Sequence, residues 1–569
     1  MKFTFPHNHF TVFLILIVLG FPIYSNILHG EFVSDDYGHI VGNFAVRDFR
    51  NLEDLWYLFN TRLLVGFSFA LNYAIGEFNV FGYHLVNILI HILATFLVYQ
   101  LALLTLQTPF LVPRYTLRES RSLALVASLI FLCHPIQTQS VSFITQRFVL
   151  MATLFYLTTI IFYVKARLES RRDYYCMAFV TMLLGMLSKE MTITIPFMLL
   201  MYEIFFFSNE KIFSSKKLKR ITPYFLIVIL LPCILFQDRL GSNLGLKYQL
   251  ITRSFNGNYF LTELSVLCTY LRLLFLPVNQ NFDYDYPIVQ RLWEPHTLFS
   301  IVFLASLWWL AIKLFSRDRL VSFCIFWFFL TTSVEVVVVS FVNKGVIYEH
   351  WLYLPMVGFS LFLTLMIRRV SHNDAVYRIF FVVVVFFYCF LTYQRNFVWQ
   401  NEIRFWQDVV SKSPNKAGPH WGLGIAYSRK GDDALAMASY KRAVQVESNL
   451  SEGYNNLGVI YMRYNDNQSA QEYFERAITI DPQNGPAYNN LAFFHFLNAD
   501  YSKALTYYVQ SLQRQGEYPQ AYYYMAQCYR ELGQLVQAKE YFNKAIRLYE
   551  ERNNPEGAKE AKQLLEALR

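Results

Sequence analysis

Residues Ser451-Glu-Gly-Tyr-Asn-Asn-Leu-Gly-Val-Ile-Tyr-Met-Arg-Tyr-Asn-Asp-Asn-Gln-Ser-Ala-Gln-Glu-Tyr-Phe-Glu-Arg-Ala-Ile-Thr-Ile-Asp-Pro-Gln-Asn484 read as two amphipathic helices joined by a polar turn. The pattern recurs every 34 residues from Lys416 onward. Leu423, Leu457, Leu491 and Met525 hold one equivalent position, each followed by a small residue (Gly424, Gly458, Ala492, Ala526). Ala436, Ala470, Ala504 and Ala538 come next, then the aromatics Tyr440, Phe474, Tyr508 and Phe542, then Ala443, Ala477, Ser511 and Ala545. Small residues let two antiparallel helices approach, and aromatics fill the gap to the next pair, so the units stack into a solenoid. Residues 555–569, opened by Pro555 and rich in Glu and Lys, read as a polar capping helix.

This is the tetratricopeptide pattern, and an array of that kind offers a concave surface for a peptide partner. Upstream of Tyr393 the chain changes character. Over all 569 residues, 55% are hydrophobic and 18% aromatic, with mean hydropathy +0.27, too apolar for a water-soluble chain. The expected fold is therefore all-α: a polytopic helical membrane domain followed by the solenoid. Acidic and basic residues balance in the tail, so the net charge of +9 belongs to the membrane half. Such charge marks cytoplasmic loops and gives no reason to expect nucleic-acid binding. The seven cysteines form no CxxC pair and lie mostly in apolar segments, which excludes a disulfide framework or zinc site. The first apolar run lacks an A-x-A cleavage site and reads as a retained span.

Basic clusters at Arg114/Arg118/Arg121, Lys165/Arg167/Arg171/Arg172, Lys211 to Arg220, Lys313/Arg317/Arg319 and Arg368/Arg369 mark the inner side. Between them lie paired apolar segments, roughly 120–134 with 143–164, 174–188 with 191–208, 222–237 with 297–315, and 320–342 with 350–367. With a last span over 376–394 the expectation is about 11 spans, N-terminus inside and tail outside. Segments 259–276, which hold Glu263 and Arg272, and 62–76 read as amphipathic helices lying on the outer surface.

That register gathers polar groups on one face. Loop one carries Asp35 and Asp36, then Arg62 and His84. His134 and Arg147 follow, then Lys189-Glu190, then Arg272 with Asp283 and Asp285, and last Glu349, His350 and Tyr353. Ionisable residues at a membrane mark functional pathways, and a set on a single face fits a site better than a transport path, which scatters charge near the midplane. Two adjacent carboxylates at the surface are placed to take a proton from an acceptor hydroxyl. They are also a conceivable Mg²⁺ or Mn²⁺ ligand pair, the weaker reading because no second carboxylate cluster accompanies them.

In these stretches the chain resembles the transmembrane-and-tetratricopeptide-repeat glycosyltransferases, related to protein O-mannosyltransferases within the GT-C class, and it is most similar to the shorter bacterial members. The resemblance rests on Asp35-Asp36, Ser68 to Tyr73 with Tyr83-His84, His134 to Gln139 through Gln146-Arg147, and Ser188-Lys-Glu190 to Glu203. It continues through Tyr270 to Pro277 with Asp283-Tyr-Asp285, Tyr348-Glu-His350 to Pro355, and Arg395-Asn396 to Lys416. It implies a membrane catalytic domain over 1–395, a junction over 396–415 and a repeat domain over 416–569. The donor would be a hexose such as mannose on undecaprenyl or dolichyl phosphate. The acceptor would be a Ser/Thr hydroxyl of a translocated protein recruited by the repeats.

Asp35, or Asp36 as second choice, would serve as base, with Arg147, Lys189 and Arg272 holding the donor phosphate. Departures from the family pattern are Leu63 after Arg62 in place of Pro, Gln139 in place of Glu, and Trp351 in place of Arg. The implied location is a bacterial inner membrane with active face and tail in the periplasm, or the endoplasmic reticulum with a lumenal tail. Competing readings are a transferase acting on a lipid or envelope polysaccharide, and a non-enzymatic tethered scaffold whose outer acids and bases would be dispensable.

Overall fold

His134 and Pro135 decide the geometry of the first polar face. Proline disfavours helical backbone in the residue before it, and His134 is extended (φ −69°, ψ 129°). The computed structural model describes residues 8–207, 215–236, 255–342, 345–371 and 373–568, and there α5 (Leu117–Cys133) stops at this point. The chain re-enters through a short 3-10 turn and α6 (Thr138–Ser142), bent 52° from α5. Every regular element among the described residues is helical.

The chain divides into Met1–Asn401 and Glu402–Arg569, a boundary inside the stretch read as the junction. The first unit opens with α1 (His9–Tyr24), α2 (Leu52–Phe59), α3 (Leu63–Gly76) and α4 (Val80–Leu106) before α5. After α6 come α7 (Arg147–Glu169), α8 (Arg172–Met186), α9 (Ile195–Tyr202) and α10 (Ser215–Phe236). It ends with α11 (Gly257–Phe275), α12 (Pro295–Arg317), α13 (Arg319–Val342), α14 (Pro355–Val370) and α15 (Asp374–Trp399).

Seven helical stretches among the described residues are long and apolar enough to cross a bilayer, or eight if α5 and the re-entrant piece are one span. The expectation of about 11 exceeds this because α8 and α14 have only 15 and 16 residues. At 1.5 Å per residue such helices reach about 22–24 Å, short of the roughly 30 Å hydrocarbon core. α10 carries Lys217, Lys219 and Arg220 in its opening turns. Lys211, the first part of the 238–295 stretch, Asn343 and Lys344 lie outside the described residues.

Both segments read as surface helices run across the face. The Asn256 amide, at the start of α11, donates to Ser340 O (2.9 Å) at the end of α13. At its other end Leu274 O accepts from His134 Nε2 (3.0 Å), just past the end of α5. α3 begins where Leu64 N–H meets Leu187 O (3.2 Å) beyond α8, and ends where Glu77 O accepts from the Tyr83 hydroxyl (3.0 Å) at the start of α4. The C-terminal end of α15 returns to the same face. There Asn26 Nδ2 donates to Tyr393 O (2.9 Å), Glu31 N–H to Gln400 O (3.0 Å) and Asn396 Nδ2 to Ile23 O (3.1 Å). The chain thus leaves the membrane unit beside loop one.

In the second unit α16 (Glu402–Lys412) precedes four helix pairs: α17 (Ala417–Arg429) with α18 (Asp433–Val446), α19 (Ser451–Arg463) with α20 (Asn467–Ile480), α21 (Gly485–Leu497) with α22 (Tyr501–Gln515), and α23 (Pro519–Glu531) with α24 (Leu535–Glu551). α25 (Pro555–Glu566) closes the array. In the first two pairs the small position has a steric cause: a Cβ on Gly424 would sit 2.5 Å from the Tyr440 ring, and one on Gly458 2.6 Å from the Phe474 ring.

Candidate active site on the polar face

Asp35 and Asp36 have opposite environments. The Asp36 carboxylate is fully buried and receives the Val33 N–H (3.1 Å), the Thr145 N–H (2.8 Å) and the Thr145 hydroxyl. Burial pushes its pKa up to about 7 against those hydrogen bonds. Asp36 therefore ties loop one to the re-entrant segment, and its neighbour Asp35 is exposed. Both Asp36 oxygens face N–H or O–H donors, the wrong polarity for a cation, so the pair does not fit a Mg²⁺ or Mn²⁺ chelate.

Arg147 is a correction to the expected phosphate-binding set. Its guanidinium is completely buried and stands over the Phe69 ring (4.6 Å). It donates to Asn87 Oδ1 (2.8 Å), Asn72 Oδ1 (2.6 Å), Ser68 O (3.3 Å), Ser68 Oγ (3.2 Å) and Tyr83 O (3.0 Å). With its donor fork spent on α3 and α4, it organises the loop and offers nothing to a ligand.

Other expected site residues are also structural. Tyr353 is buried, its hydroxyl 2.8 Å from His91 Nδ1. His134 uses both ring nitrogens, toward Leu274 O and the Ile136 N–H (3.2 Å). Glu349 is buried and clasps the segment before Asp283, accepting from Gln280 Nε2 (2.8 Å), Asn281 N (2.6 Å) and the Tyr284 hydroxyl (2.6 Å). His84 is buried under Gly30, and neither ring nitrogen has a partner.

The remaining groups form a chain of neighbours that starts and ends at Asp35. His39 lies in the fields of both Asp35 and Arg62. Arg62 Nη2 meets Glu190 Oε2 (3.2 Å) and stacks 5.0 Å over Phe148. Lys189, half-buried beside that pair, has its pKa lowered to about 8 by burial, with Glu335 opposing and Arg62 reinforcing. Glu335 on α13 faces Glu263 on α11. Tyr270, whose hydroxyl donates to Tyr348 O (3.0 Å) and accepts the Tyr348 N–H (3.0 Å), leads back to Asp35, because Tyr348 lies in the fields of Asp283 and Asp35. His350, its N–H on Gln139 Oε1 (2.6 Å), lies in the fields of Lys189 and Arg62. Asp283 is half-buried at this rim and Asp285 exposed.

Sequence reasoning missed Glu335 as a site residue. Its signal was visible as the lone acid in Thr332-Ser-Val-Glu-Val-Val-Val-Val339, since a charge in an apolar run is a functional hypothesis. Arg272 is exposed at the end of α11, where it borders an apolar groove of about 650 Å³. Phe299, Leu307, Phe328 and Phe359 line the groove, which reaches Arg369, itself paired with Asp318.

Tetratricopeptide-repeat models match residues 418–450, 451–484 and 485–551. The chain is 27% identical over 469 residues to the protein O-mannosyl-transferase F38B6.6 of Caenorhabditis elegans, covering 77% of this chain and 63% of that one. It is 23% identical over 494 residues to the Homo sapiens protein O-mannosyl-transferase TMTC4, covering 72% and 63%. The crystal structure of MamA aligns with 27% of this chain and 89% of its own, at 25% identity and TM-score 0.25. The chain spans about 63% of the length of these first two relatives. In its repeat register and its helical membrane half, the chain is similar to these protein O-mannosyl-transferases.

Proposed function

We propose that the chain is an integral-membrane glycosyltransferase that moves mannose or another hexose from a polyprenyl-phosphate donor to Ser/Thr hydroxyls of a protein. The reading draws on the likeness to the relatives and on one observation: Asp36 is locked in the protein, and its exposed neighbour Asp35 acts on the same His39 as Arg62, which adjoins Lys189. A single displacement suits this arrangement. Asp35 accepts the proton of the acceptor hydroxyl as that oxygen bonds to the anomeric carbon. The bond from that carbon to the phosphate oxygen breaks with inversion, and the electron pair leaves on the lipid phosphate. Lys189 and Arg272 neutralise the charge that develops there, in place of the buried Arg147.

The apolar groove bordered by Arg272 gives the isoprenoid chain a bed at membrane depth. The tail, whose chain emerges beside loop one, would bind the acceptor polypeptide and raise its local concentration. In this reading the polar face and tail lie opposite the cytosol. The test is mass spectrometry of acceptor glycopeptides from cells carrying the wild type or Asp35→Asn. Loss of glycosylation by at least about 100-fold with normal insertion is the expected result for removing a general base. Unchanged glycopeptides would refute it.

A further inference from the structure

Four buried polar atoms, on two neighbours of Lys189 and on the Glu263 that faces one of them, have no hydrogen-bond partner: Oε1 and Oε2 of Glu263, Oε2 of Glu335 and Nδ1 of His350. Their residues are 1%, 8% and 8% exposed, and they come from three separate elements, α11, α13 and the turn before α14. Buried polar groups are nearly always satisfied, and an orphaned carboxylate is the costliest exception. Two orphaned carboxylates and an orphaned imidazole nitrogen, linked through Glu335 and Lys189, are unfinished in a way that a ligand completes.

The chemistry of that ligand follows from the donor inventory. Carboxylate oxygens demand hydrogen donors, and an ammonium demands acceptors. A polyhydroxylated ring supplies both on adjacent carbons. A metal ion fits poorly, since the cations Lys189 and Arg62 share the field and, among the described residues, no three His, Cys, Asp or Glu side chains are placed to hold one ion. An acceptor peptide backbone would offer one N–H per residue, too sparse for two neighbouring carboxylates and an imidazole. We propose that Glu263, Glu335 and His350 form the subsite that reads the hydroxyls of the donor hexose, and so determine which sugar this protein accepts. The inference rests on the glycosyltransferase reading for the identity of the donor.

Such a site discriminates strongly, because the wrong epimer leaves a buried carboxylate unpaired. Tyr270, in the fields of Glu263 and Glu335, is hydrogen-bonded to Tyr348, which lies in the field of Asp35, so the two tyrosines link this subsite to the base. The orphaned acids are then explained: they destabilise the empty site and are satisfied on binding.

The test is binding, which does not require turnover. Purified wild type in nanodiscs is titrated with polyprenyl phosphate and with polyprenyl-phosphate mannose and glucose. Wild type should bind one sugar-bearing lipid at least about tenfold tighter than the sugar-free lipid and than the other epimer, the size of one lost charged hydrogen bond. Glu335→Gln and Glu263→Gln should each remove that preference while leaving sugar-free polyprenyl phosphate within about twofold of wild type. Equal wild-type affinity for all three lipids overturns the subsite, as does a preference that survives both substitutions. The wild-type comparison holds even if a variant misfolds. Absence of protein glycosylation alongside a sugar preference that both variants lose would sink the proposed acceptor chemistry and leave the subsite standing.

Discussion

The repeat tail and the polar face of the membrane unit are held together by different distances along the chain. In the tail, Gly458 meets Phe474 only 16 residues away, and Gly424 meets Tyr440 at the same spacing one period earlier. On the polar face, Arg147 reaches Asn72 and Ser68 across 75 and 79 positions, and Asp36 reaches Thr145 across 109. Local packing tolerates damage one repeat at a time. A long-range polar knot fails as a unit, because each lost partner leaves another buried group unsatisfied.

That contrast sets the order of expected effects. Arg147→Met, which orphans acceptors on α3 and α4, should cost more than about 3 kcal/mol and leave little folded protein in detergent, read by thermal melting. A variant that melts like wild type would break the contrast. Gly458→Leu in the tail should cost about 1–3 kcal/mol by overpacking against Phe474, seen as a lower melting temperature of residues 402–569 expressed alone.

A subtler effect comes from Lys189, whose ammonium, in the proposed reaction, is charged to neutralise the donor phosphate. With its pKa lowered to about 8, activity should fall as pH rises through that value, because the proton is lost on the basic side. Lys189→Arg should carry activity at least about one pH unit further, since a guanidinium does not titrate there. A pH profile unmoved by that substitution would remove Lys189 from the mechanism. Smallest is Glu190→Gln at the rim, where the partners Arg62 and Glu190 are 36% and 52% exposed. Such a pair contributes at most about 1 kcal/mol, so the melting temperature should barely move.

The same contrast explains what could be read in the residues alone. The solenoid register was written in spacing, the helix over 257–275 in an apolar run interrupted by Glu263 and Arg272, and the helix over 63–76 in a short apolar run alone. Asp35 and Asp36 were visible as a pair, yet which is exposed depends on Thr145, a residue that carries no local mark. Arg147 looked like a phosphate ligand because a cation at a helix start on a polar face has that form. Only the distant Asn72 and Asn87 reveal that it is spent. Glu349 and Tyr353 misled for the same reason, with partners at Asn281 and His91. Glu335 was overlooked because its apolar surroundings read as a plain span.

The account depends on Asp35, Lys189 and the start of the tail sharing one face. Single cysteines at Ser34, Glu190 and Lys416, in a background with Cys176 replaced, can be labelled with a membrane-impermeant thiol reagent on intact cells or sealed vesicles, with Arg118→Cys as the opposite-face control. The prediction is that the first three label from the same side and Arg118→Cys labels only after permeabilisation. Labelling of Lys416→Cys or Glu190→Cys from the side opposite Ser34→Cys would contradict it.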